Sequence, residues 1–238
     1  HAAHRALQMI DTIRYDIVAK HPNDFSLATS AASILDARKH HKIAALIGIE
    51  GGHAIEDDPR LLRDFYQLGA RYMTLTHTKN LSWAGSSAET DKRGLNDLGR
   101  SIVAEMNRLG MMVDIAHVSD QTFWDVIKAS QAPVLSSHSG ARALSNIPRN
   151  MTDEMIQAVG KKGGLVMVNF GCEFLSQHSA DTSPWINPSL PKDARCAQAS
   201  IDDVVAHIDH IRRIAGIDAV GLGTDFDGVE CVPQGLDD

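Results

Sequence analysis

The stretch Ile43–His53, IAALIGIEGGH, decides the fold of this chain. A run of apolar residues ends there on the carboxylate of Glu50, and two glycines follow at once. An apolar run bounded by turn residues predicts a strand that is buried on both faces, as in a parallel sheet. Burying an ionised carboxylate is very costly unless a positive group meets it. We therefore expect Glu50 to contact a cation at the end of this strand.

The same pattern recurs at four places further along the chain. The stretches ARYMTLTH, GMMVDIAH, APVLSSH and AVGLGTD end on His77, His117, His138 and Asp225. Each predicts a strand that carries a metal-binding or acid–base residue at its carboxyl end. Barrel enzymes keep their chemistry at the carboxyl ends of their strands. Glutamate, histidine and aspartate ligands suit zinc.

Strand patterns alternate with helix patterns along the chain. A sixth strand is predicted within Gly163–Phe170, and a weak helix pattern over Ser26–His40 precedes the first strand. Alternation of this kind predicts βα units and a parallel sheet. A closed (β/α)8 barrel has eight strands in typically ~250 residues. We therefore predict an α/β fold, a TIM-type (β/α)8 barrel that is incomplete, with six of the eight strands recognisable.

This barrel is predicted to be a single domain over residues 1–238, truncated at both ends. The two missing strands would lie between the first and last predicted strands of a closed barrel. Ile43–Glu50 and Ala219–Asp225 are therefore the expected open edges of the sheet.

Composition excludes several classes of function. With 238 residues, 43% of them hydrophobic, the chain suits one domain with a sizeable core. Its net charge of −7 argues against a nucleic-acid partner. No apolar run approaches the ~20 residues that span a bilayer. The chain begins at His1 within a helix pattern and without an initiator Met, so a cytoplasmic and an exported location both stay open.

The histidines fall into two groups. His117 and His138 end strands that lie one βα unit apart, so these strands are expected to be neighbours. Two such histidines together with Glu50 favour a metal site over satisfied core histidines. His207 and His210 lie opposite the apolar stripe of an outer helix and are expected to face solvent.

Three other features leave alternatives open. His53 either caps the turn after the first strand or lines the rim of the sheet. Arg149 follows the His138 strand, where a guanidinium either pairs with a substrate carboxylate or lies on the surface. Asp225, rather than Asp227, is the expected proton acceptor because it ends the strand itself.

The three cysteines are Cys172, Cys196 and Cys231. Their wide spacing predicts neither a disulfide framework nor a cysteine zinc site. We expect isolated thiols that behave as small buried hydrophobic residues.

A set of motifs resembles the membrane (renal-type) dipeptidase family of zinc peptidases. The motifs occur in the family's order between Ile43 and Gly235, and they are IGIEGGH, ARYMTLTHTKN, GLNDLGRSIVAEMNRLGMMVDIAHVSD, SSHSGARAL, IPRNM, GGLVMVNF and GLGTDFDGV. The resemblance implies a (β/α)8 barrel of the metal-dependent amidohydrolase kind that holds two zinc ions. It also implies hydrolysis of dipeptides, including those with a C-terminal D-residue, and a homodimer as a candidate assembly.

By resemblance, Glu50 bridges the two zinc ions, and His117 and His138 bind one of them. The nucleophile is then a water activated by the metal. In the family, the first strand supplies a His-x-Asp pair for the other zinc. No such pair occurs near the start of this chain, and His207-Ile208-Asp209 lies in a helix pattern. We therefore expect one complete zinc site and a second that has only Glu50.

The resemblance also implies roles towards the substrate. His77 contacts the scissile carbonyl, Arg149 holds the terminal carboxylate, and Asp225 takes or returns the proton. The predicted function is thus a zinc-dependent dipeptidase. Two alternatives remain: another amidohydrolase-type hydrolase with a different substrate, and a catalytically impaired or non-catalytic barrel that binds one metal or none.

Overall fold

The computed structural model describes residues 1–236 and contains two parallel sheets. In chain order the strands are β1 (Phe25–Leu27), β2 (Ile43–Ala45), β3 (Ile47–Glu50), β4 (Ala70–Thr74), β5 (Met112–Asp114), β6 (Val134–Ser139), β7 (Leu165–Val168) and β8 (Val220–Leu222). The first two pair with each other, and the other six form one sheet whose spatial order follows the chain order. A parallel sheet wound in one direction is the wall of a TIM-type barrel. The predicted α/β class with six barrel strands is confirmed.

Helices connect the strands and cover the sheet. In chain order they are α1 (Ala2–Asp11), α2 (Ala31–Lys39), α3 (Pro59–Gln67), α4 (Asp97–Leu109), α5 (Asp120–Ala129), α6 (Asp153–Lys161), α7 (Cys172–Leu175), α8 (Gln177–Thr182) and α9 (Ile201–Ala215). A wider π-helical segment, Thr12–Val18, continues α1. The side chains of Ser119, Thr152 and Ser200 cap α5, α6 and α9, because each accepts from a backbone N–H three residues on.

The region before β3 differs from the prediction in two ways. The helix predicted over Ser26–His40 is wrong at its start, because Phe25–Leu27 pairs in parallel with Ile43–Ala45 as a strand. Ser30 then begins α2 with a reciprocal capping box. The predicted strand Ile43–Glu50 is also interrupted at Leu46, since its first half pairs with β1 and its second half with β4.

The core lies between the main sheet and the helices that follow its strands. Leu62 and Phe65 of α3 and Ile102 and Met106 of α4 are fully buried. Each such side chain stabilises the fold by about 1.5–3 kcal/mol relative to an exposed one. Trp83 is also fully buried, so the long loop between β4 and α4 is anchored in this core.

The sheet ends at the two predicted strands. Within residues 1–236, β3 pairs only with β4 in the main sheet, and β8 pairs only with β7. None of the helices in this range is long and apolar enough to cross a membrane.

Candidate metal centre and active site

The predicted site residues meet at the carboxyl edge of the main sheet. Glu50 ends β3 and His138 lies within β6. His77, His117 and Asp225 instead lie in loops, three residues beyond the ends of β4, β5 and β8. The predicted strands are therefore three residues too long, and it is the loops after them that bring these side chains to Glu50 and His138.

Two of the loop residues adopt a backbone conformation that side chains disfavour. The φ angle is 64° at His117 and 59° at Asp225, in the left-handed region. Such residues cost of order 1–3 kcal/mol each and cluster at functional sites. The turn aims the His117 ring back over the edge of the sheet, where it meets Glu50.

Three predicted ligand atoms converge at one point. Glu50 Oε1 lies 3.2 Å from His117 Nε2 and 3.1 Å from His138 Nε2, and the two nitrogens are 2.9 Å apart. Two nitrogen or oxygen ligands of one tetrahedral zinc are roughly 3.3 Å apart, since each bond is about 2.0–2.1 Å. The donor set therefore fits a zinc ion in both chemistry and spacing.

His77 belongs to the same cluster. Its ring centroid lies 4.4 Å from that of His117. One ligating atom each of Glu50, His77 and His117 lie within 4.8 Å of one another. His77 is thus placed next to the three converging ligand atoms.

The surroundings of Glu50 and His117 favour the protonation states that bind a cation. The Nε2 atoms of His117 and His138, each within about 3.2 Å of its carboxylate, hold the pKa of Glu50 well below its usual range, although partial burial opposes this. Burial, and then the charge of Arg149, lower the pKa of His117 to about 3. The His117 imidazole is therefore neutral at neutral pH, which is the state that binds metal.

Asp114 is a site residue that the sequence analysis missed. Its carboxylate is fully buried at the end of β5 and accepts four hydrogen bonds. Two come from the hydroxyls of Thr74 and Ser137 to Oδ2, at 2.5 Å each, and two from the N–H groups of Ala116 and Ser137 to Oδ1, at 3.0 and 2.9 Å. The argument made for Glu50, a carboxylate in an apolar strand, applied equally to Asp114 in GMMVDIAH.

Arg149 is buried beside the candidate metal ligands, so the surface alternative is wrong. The residue is 6% exposed, its Nη2 donates to the His138 carbonyl at 3.2 Å, and its guanidinium lies 5.2 Å from the Phe174 ring centroid. Within residues 1–236 its Nε has no hydrogen-bond partner and the side chain forms no ion pair. Burial lowers its pKa to about 10. A buried cation that makes no ion-pair contact is suited to an anionic group of a ligand.

Asp225 is oriented by Asn169, a second residue that the sequence analysis missed. Asn169 Nδ2 donates to Asp225 Oδ2 at 2.9 Å, while its Oδ1 accepts from the Gly171 N–H. Asn169 follows β7 directly, and its position at a strand end was the available signal. Asp225 lines a cavity of about 1000 Å³ together with Glu50, His77, His117 and Arg149.

The prediction that His207 and His210 face solvent is wrong. His207 is fully buried; its Nδ1 accepts from the Ala141 N–H at 2.9 Å and its Nε2 donates to the Leu175 carbonyl at 3.0 Å. Burial lowers its pKa to about 4. His210 Nε2 lies 2.7 Å from an Asp153 carboxylate oxygen. Both histidines join α9 to neighbouring elements.

His53 is an exposed residue in the short turn after β3. It makes no capping hydrogen bond in the turn after β3. Partial burial and then the nearby His77 lower its pKa.

The three cysteines are free thiols but are not isolated. Cys172 N–H donates to the Cys231 carbonyl at 2.9 Å, and Cys231 Sγ lies 3.9 Å from the Cys196 carbonyl oxygen. The neighbouring Cys196 thiol lowers the pKa of the fully buried Cys172 thiol. Only the fold brings these distant positions together, so the expectation of separate thiols is wrong.

A model of the family described as "Membrane dipeptidase (Peptidase family M19)" matches residues 1–238. The chain belongs to this family. The resemblance of its motifs to this family is thereby confirmed.

Solved structures agree with this assignment. An amidohydrolase from Pseudomonas aeruginosa shares 30% identity with a TM-score of 0.79, over 96% of this chain and 62% of that one. A metallopeptidase from Rhodobacter sphaeroides, solved with a phosphinate mimic of L-Ala-D-Ala, shares 30% identity with a TM-score of 0.77, over 90% and 58%. A dipeptidase of family M19 shares 29% identity with a TM-score of 0.84, over 98% and 64%. The chain thus spans about three fifths of the length of these proteins.

Proposed function

We propose that this protein is a zinc-dependent dipeptidase that hydrolyses the peptide bond of dipeptides, including those with a C-terminal D-residue. The observation that carries the proposal is the convergence of Glu50 Oε1, His117 Nε2 and His138 Nε2 within 3.2 Å of one another. It is supported by the related metallopeptidase solved with a mimic of L-Ala-D-Ala.

Glu50, His117 and His138 would hold the zinc ion. Zinc at this point supplies Lewis acidity, which lowers the pKa of water and polarises a carbonyl group. Glu50 brings a negative charge and the two imidazoles bring neutral donors, so the three ligands leave a net positive centre. His77, next to them, is placed to donate a hydrogen bond to the carbonyl oxygen of the scissile bond.

Arg149 selects substrates whose C-terminal carboxylate lies close to the scissile bond. Its guanidinium is buried beside His138 without an ion pair inside the described part of the chain. A dipeptide brings a free carboxylate one residue from the scissile bond, where a longer peptide has another amide. The pairing of the guanidinium with this carboxylate therefore favours dipeptides over longer chains.

Asp225 would move the proton. Its carboxylate faces the cavity and is held by the Asn169 amide at 2.9 Å. It is placed to accept a proton from the attacking water and to return it to the leaving amine, as a general base and then a general acid.

The stoichiometry follows from the ligand set. Residues 1–236 bring one complete set of three ligands together, and we propose that the 238-residue chain holds one zinc ion tightly. A second zinc would need ligands in addition to Glu50. Metal analysis after dialysis tests this; two tightly held zinc ions per chain would contradict it.

The experiment that tests the function is hydrolysis of L-Ala-D-Ala by the purified protein, with and without zinc, compared with Glu50→Gln. We expect zinc-dependent release of alanine that the substitution abolishes. Zinc binding without turnover would favour a non-catalytic barrel. Turnover of an ester or a deaminase substrate but no dipeptide would favour another amidohydrolase-type hydrolase.

A further inference from the structure

A chain of hydrogen bonds leads from a buried carboxylate to one of the metal ligands. Ser137 Oγ lies 2.5 Å from Asp114 Oδ2 and 2.8 Å from His138 Nδ1. The other ring nitrogen of His138, Nε2, points to Glu50 Oε1 and His117 Nε2. Within residues 1–236 Asp114 makes no direct hydrogen bond to the ring of His117 or His138, and its link to His138 runs through Ser137.

The number of protons available fixes the direction of these bonds. A carboxylate only accepts, and a hydroxyl has one hydrogen to give. Ser137 gives its hydrogen to Asp114, so its oxygen has to accept from His138 Nδ1–H. A neutral imidazole that carries its proton on Nδ1 has its lone pair on Nε2. The Nε2 lone pair is the one that faces Glu50 and His117.

We propose that Asp114 is a positioning residue that, through Ser137, holds His138 in the tautomer that binds metal. The inference rests on the proposed function, because it takes His138 as a zinc ligand. Hydrogen-bond partners behind a ligating histidine fix its tautomer and ring orientation in metal sites generally.

His117 and Thr74 show that this arrangement is specific to one ligand. His117 Nδ1 is buried and has no hydrogen-bond partner within residues 1–236, so no comparable chain supports that ring. Thr74 donates to the same Asp114 oxygen as Ser137, from the neighbouring strand, but leads to no metal ligand. Thr74→Val removes a donor from Asp114 without touching the path to His138, and is therefore a matched control.

Asp114→Asn is expected to invert the tautomer. The N–H groups of Ala116 and Ser137 are fixed donors, so the amide oxygen has to take the Oδ1 position. The amide NH₂ then faces the Ser137 hydroxyl and donates to it. Ser137 turns its own hydrogen towards His138 Nδ1, which becomes an acceptor. The imidazole proton moves to Nε2, the atom that binds metal.

The experiment measures zinc affinity by competition with a chromogenic chelator, and the tautomer of His138 by ¹⁵N NMR of its ring in the metal-free protein. We expect Asp114→Asn to weaken zinc binding by about 10- to 100-fold and to move the ring proton to Nε2. Ser137→Ala should weaken zinc binding less than Asp114→Asn does, because no hydroxyl then forces the ring proton onto Nε2. Ser137→Thr, which keeps the hydroxyl, should restore zinc affinity. Thr74→Val should leave both readouts unchanged.

Three results would overturn the inference. They are zinc affinity of Asp114→Asn within twofold of the unsubstituted protein, a ring proton that stays on Nδ1, and an equal loss in Thr74→Val. If Asp114→Asn does not fold, the pair Ser137→Ala and Ser137→Thr decides, since equal affinities in the two would refute the relay. His138→Ala separates the two proposals: unchanged zinc affinity there would refute the zinc site itself.

Discussion

Replacing Arg149 by methionine should separate ligand binding from stability. Burial lowers the pKa of this side chain from 12.5 to about 10, which corresponds to about 3 kcal/mol of free energy against the buried charge. Its hydrogen bond to the His138 carbonyl, made by a charged donor, returns about 1.5–3 kcal/mol. Methionine fills a similar volume without a charge. Arg149→Met is therefore expected to leave the free energy of unfolding unchanged or raise it by about 1 kcal/mol.

The same substitution should weaken binding of a dipeptide carboxylate. Loss of one partner from a buried charge pair costs about 2–4 kcal/mol, which is roughly 30- to 1,000-fold in affinity. The assay is calorimetric titration of the zinc-loaded protein with a phosphinate dipeptide mimic, as the free acid and as the C-terminal carboxamide. Only the free acid should lose affinity in Arg149→Met, because the carboxamide has no charge to pair.

Arg142 provides the matched control for this experiment. It lies in the same loop, and its Nη1 is 2.7 Å from an Asp120 carboxylate oxygen. Arg142→Met should lower the melting temperature and leave binding of both mimics unchanged. Equal losses for the acid and the carboxamide in Arg149→Met, or a sharp fall in its melting temperature, would assign Arg149 to the structure of the loop and refute the reasoning.

Three further predictions concern the metal, pH and the edges of the sheet. Glu50→Gln removes the only negative charge among the three converging ligands, so zinc should be lost by metal analysis while circular dichroism stays normal; retained zinc would contradict this. His207 has a pKa of about 4 in the folded protein, against about 6.5 in the unfolded chain. Between these two pH values the unfolded chain binds a proton at His207 and the folded protein does not. Its contribution of about 3 kcal/mol to the free energy of unfolding is present above pH 6.5 and should be lost as pH falls to 4. Urea unfolding across this range should therefore show a weaker pH dependence in His207→Gln, and equal slopes would refute it. The open edges at β3 and β8 should make the 238-residue chain associate with increasing concentration in sedimentation experiments; a monomer at high concentration would contradict this.

The sequence predicted the edge of the sheet where the chemistry lies. Parallel strands place their carboxyl ends together, so apolar runs that end on Glu50 and His138 have to bring those residues to one edge. The loops after β4, β5 and β8 were predicted as strand. The first two of these loops continue the apolar runs of their strands, so the sequence pattern does not show where strand pairing stops. At His117 and Asp225 the backbone takes a left-handed turn, which the sequence does not record.

Hydrogen-bond partners were harder to predict than ligands. Asp114 and Asn169 hydrogen-bond to residues that follow or lie in other strands, Ser137 and Asp225. The spacing of residues along the chain does not show which side chains on different strands come into contact. His207 was misplaced because its position was assigned to the wrong helix face: three residues after Val204 and four before Ile211, it lies with them on the buried face of α9. The loop after β6 and the end of α7 supply its two hydrogen-bond partners. The cysteines converge for the same reason, since three segments that are distant in sequence pack together.

The measurement that tests the central claim most directly is the anomalous scattering of crystals of the zinc-loaded protein at the zinc absorption edge. The account predicts one peak at about 2.0–2.2 Å from Glu50 Oε1, His117 Nε2 and His138 Nε2 together. A peak at another place, or one that leaves the His138 nitrogen outside bonding distance, would contradict it.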